Sequence, residues 1–330
     1  MTIPGSILVV RLGAIGDVTN ALVLATALRD AAPGTRVGWA VHPLARPLVE
    51  DHPAVDRVHV WSRGEGRAGW KKVVRSLRAE RYELAVDLQA ILKSAALARA
   101  SGASRVVGFG RGRAKEMSWL LTRERVAVPP GRPHRIDEVL AVARHLGIPD
   151  PTPRRELPAD PAAAEWARAV VEGLGAAPIL VNLGASKPPN RWPPDRFGRL
   201  AAECARRHGP VVLTGGPEDR PAADVARAQG SEGVTDLVGG TSLRQLYHLM
   251  DRSRLFVGCD TGPMHLAAAR ELPVVALFGP ADPARTGPWG RGHRVVRGSY
   301  RDEGATFRPG RMRDIALEAV SEAVAEVLSG

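Results

Sequence analysis

The chain has 330 residues, of which 44% are apolar and 25% are charged, a composition typical of a globular protein long enough for two domains. No apolar run approaches the roughly 20 residues of a membrane-spanning helix, and the first residues lack the basic and apolar segments of a signal peptide. Cys204 and Cys259 lie far apart and outside any CxxC pair, so neither a disulfide framework nor a zinc site is expected. These features predict a cytoplasmic protein.

The formal net charge is +11, and nearly all of the surplus lies in the first half of the chain. Residues 1–150 contain 23 Lys and Arg against 14 Asp and Glu. Most of this excess positive charge is concentrated in residues 57–135, which contain 18 basic and 6 acidic side chains. A local excess of this size indicates an anionic partner for the first half.

Short apolar runs alternate with segments of helical period, the pattern of a parallel α/β sheet. In the first half the pattern predicts strands at residues 7–10, 37–41, 58–60, 84–88 and 106–108. It predicts helices at residues 20–32, 43–50, 70–78, 92–101 and 136–146. A cluster of prolines from Pro149 to Pro161 follows and is interpreted as a linker, because proline can continue neither a helix nor a central strand.

The second half repeats the alternation. Strands are predicted at residues 179–183, 211–214, 255–257 and 274–278, and helices at residues 194–207, 221–228, 242–251, 263–269 and 313–328. Ser242 and Gln245 have the spacing of a capping box, which supports the start of the third of these helices. The simplest architecture is two doubly wound domains, residues 1–155 and 156–312, facing a central cleft. The last helix, within residues 313–330, could return to pack on the first domain.

Ligands of open α/β sheets bind beyond the carboxyl ends of the strands, and four such loops have unusual sequences. The first, residues 11–17, contains two glycines and ends at Asp17, which either caps the next helix or faces a ligand. It matches neither the GxGxxG nor the P-loop pattern. The second, residues 184–193, places Lys187 and Arg191 beside small residues, which suits a phosphate as well as a solvated loop.

The third loop, residues 215–219, offers Glu218 and Asp219, which could bind a ribose diol or only the N-terminus of a helix. The fourth, residues 258–269, is the most informative. Asp260 and Thr261 precede a glycine and a proline, a sharp helix start whose free N–H groups suit a diphosphate. His265 lies in the first turn of that helix, as either a ligand or a packed core histidine.

These motifs resemble those of the ADP-heptose:lipopolysaccharide heptosyltransferases, glycosyltransferase family 9. Residues 9–17 (VVRLGAIGD) resemble the family's first motif, and residues 260–269 (DTGPMHLAAA) with 279–283 (GPADP) resemble its C-terminal signature. Residues 87–94 (DLQAILKS) and 108–110 (GFG) are similar to a stretch typical of heptosyltransferase I. The resemblance extends over residues 7–290.

The resemblance implies a GT-B fold of two Rossmann-like domains, with the donor nucleotide on the second and the acceptor on the first. It also implies an inverting reaction without a metal or other cofactor. No aspartates form a DxD pair, and no two histidines have the spacing of metal ligands. By position, Asp17 matches the family's general base. The residues that match the donor site are Ser186, Lys187, Arg191, Glu218, Asp219, Asp260, Thr261, Gly262 and His265.

The chain departs from the family at two positions. Asn190 stands where the family usually has a lysine, two residues before a Trp-Pro pair, so either Lys187 or Arg191 would supply the phosphate cation. Glu138 lies near a position where heptosyltransferase I often carries an arginine for the acceptor.

An anionic, lipid-linked saccharide such as Kdo-lipid A is the acceptor that the resemblance implies. Gly13 and the basic side chains of the first half are the candidates to bind it, namely Arg63, Arg67, Lys71, Lys93, Arg113 and Lys115. The remaining charge could hold the enzyme at the inner face of the inner membrane.

Three other functions fit parts of the sequence. A family 9 enzyme with another nucleotide-sugar donor or acceptor, for capsule or natural products, has the same motifs. A nucleic-acid-binding protein would explain the basic half, but aromatics are only 5% and no RRM, KH or helix-turn-helix signature occurs. A nicotinamide dehydrogenase is disfavoured because neither half opens with GxGxxG.

Overall fold

The computed structural model describes residues 3–185, 187–298 and 309–329. It divides into two compact units, Met1–Ala159 and Asp160–Gly330, a boundary a few residues beyond the one expected from the proline cluster. Both units are α/β, as predicted.

The first unit is built on a six-stranded parallel sheet. Its strands are β1 (Ser6–Val10), β2 (Arg36–Val41), β3 (Arg57–Val60), β4 (Leu84–Asp87), β5 (Arg105–Phe109) and β6 (Glu124–Val126). Its helices are α1 (Ile15–Ala31), α2 (Gly66–Ala79), α3 (Leu92–Ala100) and α4 (Arg135–His145), with short 3₁₀ turns at Pro43–Leu48, Arg63–Glu65 and Ser118–Leu120. The turn at Pro43–Leu48 corrects the α-helix predicted for residues 43–50.

The strand order of this sheet is β3-β2-β1-β4-β5-β6, and each pair is parallel. β1 is an inner strand and is buried along its whole length, which explains the apolar run over its residues 7–10. α1 is also buried on most of its surface. From β1 the chain adds β2 and β3 on one side of the sheet, and then β4, β5 and β6 on the other side. The switch point lies between β1 and β4, and it opens a crevice at the carboxyl ends of these two strands.

The second unit repeats the topology. Its strands are β7 (Ile179–Asn182), β8 (Val211–Thr214), β9 (Val234–Asp236), β10 (Leu255–Cys259), β11 (Val274–Phe278) and β12 (Arg294–Arg297). Its helices are α5 (Pro161–Leu174), α6 (Pro194–His208), α7 (Arg220–Arg227), α8 (Leu243–Met250), α9 (Gly262–Ala269), α10 (Pro283–Thr286) and α11 (Leu317–Ser329). The order β12-β11-β10-β7-β8-β9 places its switch point between β7 and β10.

The C-terminal helix belongs to the second unit. α11 contacts α6 and the strands β10, β11 and β12, and Val320 and Val324 are fully buried in the core of that unit. This corrects the expectation that the helix returns to the first domain. Its apolar face covers the second sheet, which would otherwise be open to water on that side.

Five strands and α-helices lie outside the predicted ones, namely β6, β9, β12, α5 and the four-residue α10. The three strands are short, lie at the edges of their sheets and contain charged residues, so they lack the apolar run that marks a central strand. α5 begins at Pro161, which had been interpreted as part of a linker. Proline is tolerated in the first turn of a helix, and Asp160 caps this one by accepting a hydrogen bond from the N–H of Ala163 at 2.9 Å.

Candidate functional site

The loop between β1 and α1 carries an ion pair at the switch point of the first sheet. The guanidinium of Arg11, which is 6% exposed, pairs with the carboxylate of Asp17 and donates to the main-chain oxygen of Leu88 at 2.6 Å. Asp17 lies in the first turn of α1 and is not its N-cap, which is Ala14. About a third of the Asp17 side chain stays exposed, so Arg11 orients the carboxylate without burying it.

Gln89 connects the same loop to the segment after β4. Its Oε1 accepts hydrogen bonds from the main-chain N–H groups of Leu12 at 3.1 Å and Gly13 at 3.3 Å. Gln89 was not predicted as a site residue, although it lies in the stretch that resembles heptosyltransferase I. Its position directly after β4, at the switch point, was the available signal.

Asp87, at the end of β4, shapes the turn that presents Gln89. Its Oδ1 accepts from the N–H groups of Gln89 at 3.0 Å and Ala90 at 3.1 Å. Because the carboxyl group is almost completely buried, its pKa is raised to about 6, against the opposing effects of these hydrogen bonds and of Ser94. Asp87 is thus a structural carboxylate of the site.

An open cleft of about 290 Å³ borders this loop. It is lined by Leu12, Gly13, Ala14, His42, Trp61 and Gln89. Gly13, a predicted acceptor residue, therefore faces a space large enough for a ligand. Asp17 lines a separate and much smaller cavity of about 10 Å³, room for about one water molecule.

That small cavity also contains Arg113, a predicted acceptor residue, but the structure pairs it internally. The carboxylate of Glu138, which is 2% exposed, binds Arg113 and, at 3.0 Å, Arg135. Burial lowers the pKa of Arg113, and the nearby charge of Arg135 acts in the same direction. Glu138 thus carries one negative charge against the buried guanidinium of Arg113 and the partly buried one of Arg135. The pairing with Arg113 spans 25 residues, and sequence patterns could not reveal it.

The other predicted acceptor cations lie on the surface of the first unit. Arg67 and Lys71 are exposed on α2, Lys93 is exposed at the start of α3, and Lys115 is exposed on the loop after β5. Lys93 lines a groove of about 350 Å³ with Trp61, which also borders the cleft beside Gly13. The side chain of Arg63 is outside the described part of the chain.

In the second unit, the loops after β7 and β8 meet around a buried carboxylate. Asp219 is 2% exposed, accepts from the N–H of Gly216 at 3.0 Å and pairs with Arg191 at 3.3 Å. A Cβ on Gly184 would lie 2.5 Å from Asp219 Oδ2, so this approach requires glycine. Burial raises the pKa of Asp219, opposed by these two partners.

This arrangement separates the predicted donor residues into two groups. Arg191 also donates to the main-chain oxygen of Ala185 at 3.0 Å, so it is committed to the loop. Lys187 and Glu218 are exposed, and the side chain of Arg191 is also 41% exposed, so what distinguishes Arg191 is its bonding to Ala185 and Asp219. Ser186, also predicted at this site, lies outside the described residues.

The segment after β10 provides a helix N-terminus at the second switch point. Thr261 is the N-cap of α9, and its hydroxyl donates to the main-chain oxygen of Cys259 instead of capping the helix. The first N–H groups of a helix have no intrahelical acceptor, so those of Gly262 and Met264 remain available to an anion.

Asp260 is held beside this N-terminus. Its Oδ2 accepts from the hydroxyl of Thr286 at 3.2 Å, and its Oδ1 lies 3.7 Å from Nε2 of His265. His265 is 7% exposed, so the histidine is packed and also part of the site. A diphosphate at α9 would meet main-chain donors in front of a fixed Asp260–His265 pair.

The residues that the structure describes contain no group of three or more His, Cys, Asp or Glu side chains arranged to hold a metal ion. In the same part of the chain no helix is long and apolar enough to cross a membrane. Cys204 and Cys259 are buried and unpaired, and burial raises the pKa of each thiol to about 12.

Comparisons with known proteins agree with this geometry. The model of glycosyltransferase family 9 (heptosyltransferase) matches residues 70–313. The chain is similar to the lipopolysaccharide core heptosyltransferase OpsX of Haemophilus influenzae, with 26% identity over 89% of this chain and 84% of that protein. It is similar to lipopolysaccharide heptosyltransferase 1 of Pseudomonas aeruginosa, with 29% identity over 86% and 81% of the two chains.

Solved structures show the same fold. The family 9 glycosyl transferase of Veillonella parvula has a TM-score of 0.86 and 23% identity, covering 100% of this chain and 98% of its own. The ADP-heptose lipopolysaccharide heptosyltransferase II of Escherichia coli has a TM-score of 0.79 and 26% identity, covering 98% of each chain. The two-domain α/β architecture is that of the GT-B heptosyltransferases.

Proposed function

The chain belongs to glycosyltransferase family 9, the lipopolysaccharide heptosyltransferases, and we propose that it transfers a heptose from ADP-heptose to the Kdo inner core of lipopolysaccharide. The proposed reaction inverts the anomeric centre and needs no metal. The observation that carries the proposal is the carboxylate of Asp17, held by the buried Arg11 at the switch point of a doubly wound sheet.

The donor diphosphate is proposed to bind at the N-terminus of α9. The N–H groups of Gly262 and Met264 and the partial positive charge of the helix end would stabilise the negative charge that develops on the departing phosphate. Lys187 is the better candidate for the phosphate cation, because Arg191 is already bound to Ala185 and Asp219. For the same reason exposed Glu218, rather than buried Asp219, is proposed to contact the ribose.

Asp17 is proposed to act as the general base. The acceptor hydroxyl oxygen attacks the anomeric carbon, the bond from that carbon to the β-phosphate oxygen breaks, and ADP leaves with the electron pair. The hydroxyl proton passes to the carboxylate of Asp17 late in the step, when the forming bond has made that proton acidic. Arg11 positions this carboxylate and leaves part of it open.

The acceptor is proposed to be an anionic, lipid-linked saccharide bound by the first unit. Its sugar would occupy the cleft beside Gly13 and Gln89, and its carboxylates and phosphates would meet exposed cations such as Lys93 and Lys115. Arg113 would act indirectly, since Glu138 holds it. Binding an acceptor of this kind would bring the enzyme to the inner face of the inner membrane. The proposal includes no nucleic acid partner.

Mass spectrometry of products from ADP-heptose and Kdo-lipid A tests the proposal. We expect one heptose added per acceptor, ADP released in equal amount, and the same rate after treatment with EDTA. Other nucleotide-heptoses and an acceptor without Kdo serve as controls. Donor hydrolysis without transfer, or loss of activity that added metal restores, would contradict the proposed acceptor or the metal-free reaction respectively.

A further inference from the structure

An exposed apolar surface lies next to the acceptor cleft of the first unit. Leu92 is 47% exposed, Met117 64% and Leu120 59%, and Trp70 lines a groove of about 350 Å³ with Leu92. We call Trp70, Leu92, Met117 and Leu120 the Trp–Leu patch. Trp70 and Leu92 line the groove, and Met117 and Leu120 lie in or next to the 3₁₀ turn that contacts α3. Such a group of large apolar side chains is unusual on a protein surface, where exposed apolar residues are normally scattered singly.

Within the patch, the start of α3 and the loop after β5 are held together by hydrogen bonds. The main-chain N–H of Leu92 donates to Glu116 Oε2 at 3.2 Å, and that of Lys115 donates to the oxygen of Ala90 at 2.9 Å. Glu116 and Met117 both have a φ of +54°, a region that costs non-glycine residues roughly 1 kcal/mol or more each. The contacts to the loop after β4 fix this turn and direct Met117 outward.

Cations surround the patch. Lys93 lines the same groove, and Lys115 precedes Met117 by two residues. Arg111 is exposed and stacks on Trp119, with its guanidinium carbon 4.1 Å from the ring centre. On α2, Arg67 and Lys71 are each within one turn of Trp70 and exposed. The patch thus combines tryptophan and aliphatic side chains with several exposed cations, while Glu116 is the exposed carboxylate beside Met117.

We propose that the Trp–Leu patch docks onto the surface of an anionic phospholipid bilayer. Tryptophan, leucine and methionine side chains enter the boundary between head groups and acyl chains, while lysine and arginine pair with lipid phosphates. The inference rests on the proposed function in one respect, since a lipid-linked acceptor requires the enzyme to reach a bilayer. It goes further by assigning the docking to the apolar side chains of the Trp–Leu patch, which take no part in the transfer.

Co-sedimentation of the full chain with vesicles tests the proposal without any sugar substrate. We expect binding to phosphatidylcholine vesicles that contain about 30% phosphatidylglycerol, weaker binding to pure phosphatidylcholine, and release between about 0.05 and 0.5 M salt. The variant Leu92→Ser/Met117→Ser/Leu120→Ser should bind the anionic vesicles about tenfold less tightly or worse. The matched control is Val225→Ser/Val295→Ser, which changes exposed apolar residues of the second unit and should bind normally.

Transfer to a soluble Kdo acceptor without acyl chains separates this proposal from the proposed function. The triple variant should keep the parent's rate on that acceptor and lose rate on acceptor embedded in vesicles. Vesicle binding that is unchanged in the triple variant, or absent in the parent, would overturn the assignment. So would a concentration-dependent dimer that the triple variant abolishes, because the patch would then be covered by a second copy of the chain.

Discussion

The guanidinium of Arg11 joins the carboxylate of Asp17 to the main-chain oxygen of Leu88, so one buried side chain links the loops that follow β1 and β4. These two loops form the switch point of the first sheet. The candidate base is therefore fixed by the strands themselves and not by a flexible connector. This favours a role for Asp17 that depends on its exact orientation, as proton transfer does.

Asp17→Ala should lower kcat by about 10²-fold or more, the usual effect of losing a general base. Asp17→Asn should be similarly impaired, because the amide keeps the shape but cannot accept the proton. Asp30→Ala is the control, since Asp30 lies at the other end of α1 in an exposed pair with Arg154. Steady-state rates with circular dichroism to check folding provide the measurement, and near-normal turnover of Asp17→Ala would exclude the base assignment.

Arg11→Gln should lower kcat by about tenfold and change KM for the donor little, because Arg11 positions the base without contacting the donor. The double variant Arg11→Gln/Asp17→Ala should be no slower than Asp17→Ala alone. Residues that act as one unit are non-additive in this way. Additive losses in the double-mutant cycle would mean that Arg11 contributes independently of Asp17.

Lys187→Ala and Arg191→Ala should change different properties, donor binding in the first variant and folding stability in the second. Loss of the exposed Lys187 should raise KM for ADP-heptose by about tenfold or more while the melting temperature stays unchanged. Loss of Arg191 should destabilise the second unit by about 1–3 kcal/mol, because Asp219 would be left buried without its cation. Thermal unfolding and donor kinetics on both variants distinguish the roles, and the reverse pattern would transfer the phosphate contact to Arg191.

Glu138→Ala should destabilise the first unit by about 3–5 kcal/mol, since it leaves the buried Arg113 and the partly buried Arg135 without an anion. Arg105→Ala is the control. It removes one partner of a half-exposed pair with Glu124 and should cost about 1 kcal/mol or less. Urea unfolding measures both. Equal losses of unfolding free energy in the two variants would show that burial does not determine how much the pairing of Glu138 with Arg113 and Arg135 stabilises the first unit.

His59 should make the first unit less stable in mild acid. Its ring forms hydrogen bonds with Ser76 and with the hydroxyl of Tyr82 at 2.8 Å each, and burial lowers its pKa to about 4 from the ordinary value of 6.5. Between these values the unfolded chain binds a proton that the folded chain does not, so stability falls as pH drops below 6.5. The loss is about 2 kcal/mol at about pH 5 and about 3 kcal/mol below pH 4.

Urea unfolding of the parent and of His59→Gln at about pH 7.5 and 5 checks this dependence. The variant should be less stable at neutral pH, having lost part of the buried hydrogen-bond network. It should also lose roughly 2 kcal/mol less than the parent on acidification. An identical pH dependence in the two proteins would assign the acid sensitivity to other groups.

The central strands were predictable because burial on both faces requires unbroken apolar runs, as in residues 7–10 and 274–278. The loops of the site were predictable as well, because their position after central strands and their content of glycine, aspartate and threonine are visible in the sequence. Edge strands such as β6 are short and contain charged, partly exposed residues, so they show no comparable pattern in the sequence.

The contacts between side chains within the site could not be predicted from the sequence, for a different reason. Arg11 meets Leu88, and Arg113 meets Glu138, only because strand order brings distant segments together. Residue types alone could nominate Arg113 as an acceptor ligand, but not show that Glu138 already neutralises it. The sequence likewise offered both Lys187 and Arg191 as phosphate cations, and only the contact of Arg191 with Asp219 distinguishes them.

The anomeric configuration of the product is the most direct test of the central claim, that Asp17 assists a single displacement of ADP by an acceptor hydroxyl. NMR of the saccharide formed from ADP-heptose and a Kdo acceptor reads this configuration against that of the donor. The account predicts a heptose linked with the opposite configuration. A product that retains the donor's configuration would require two displacements and would contradict it.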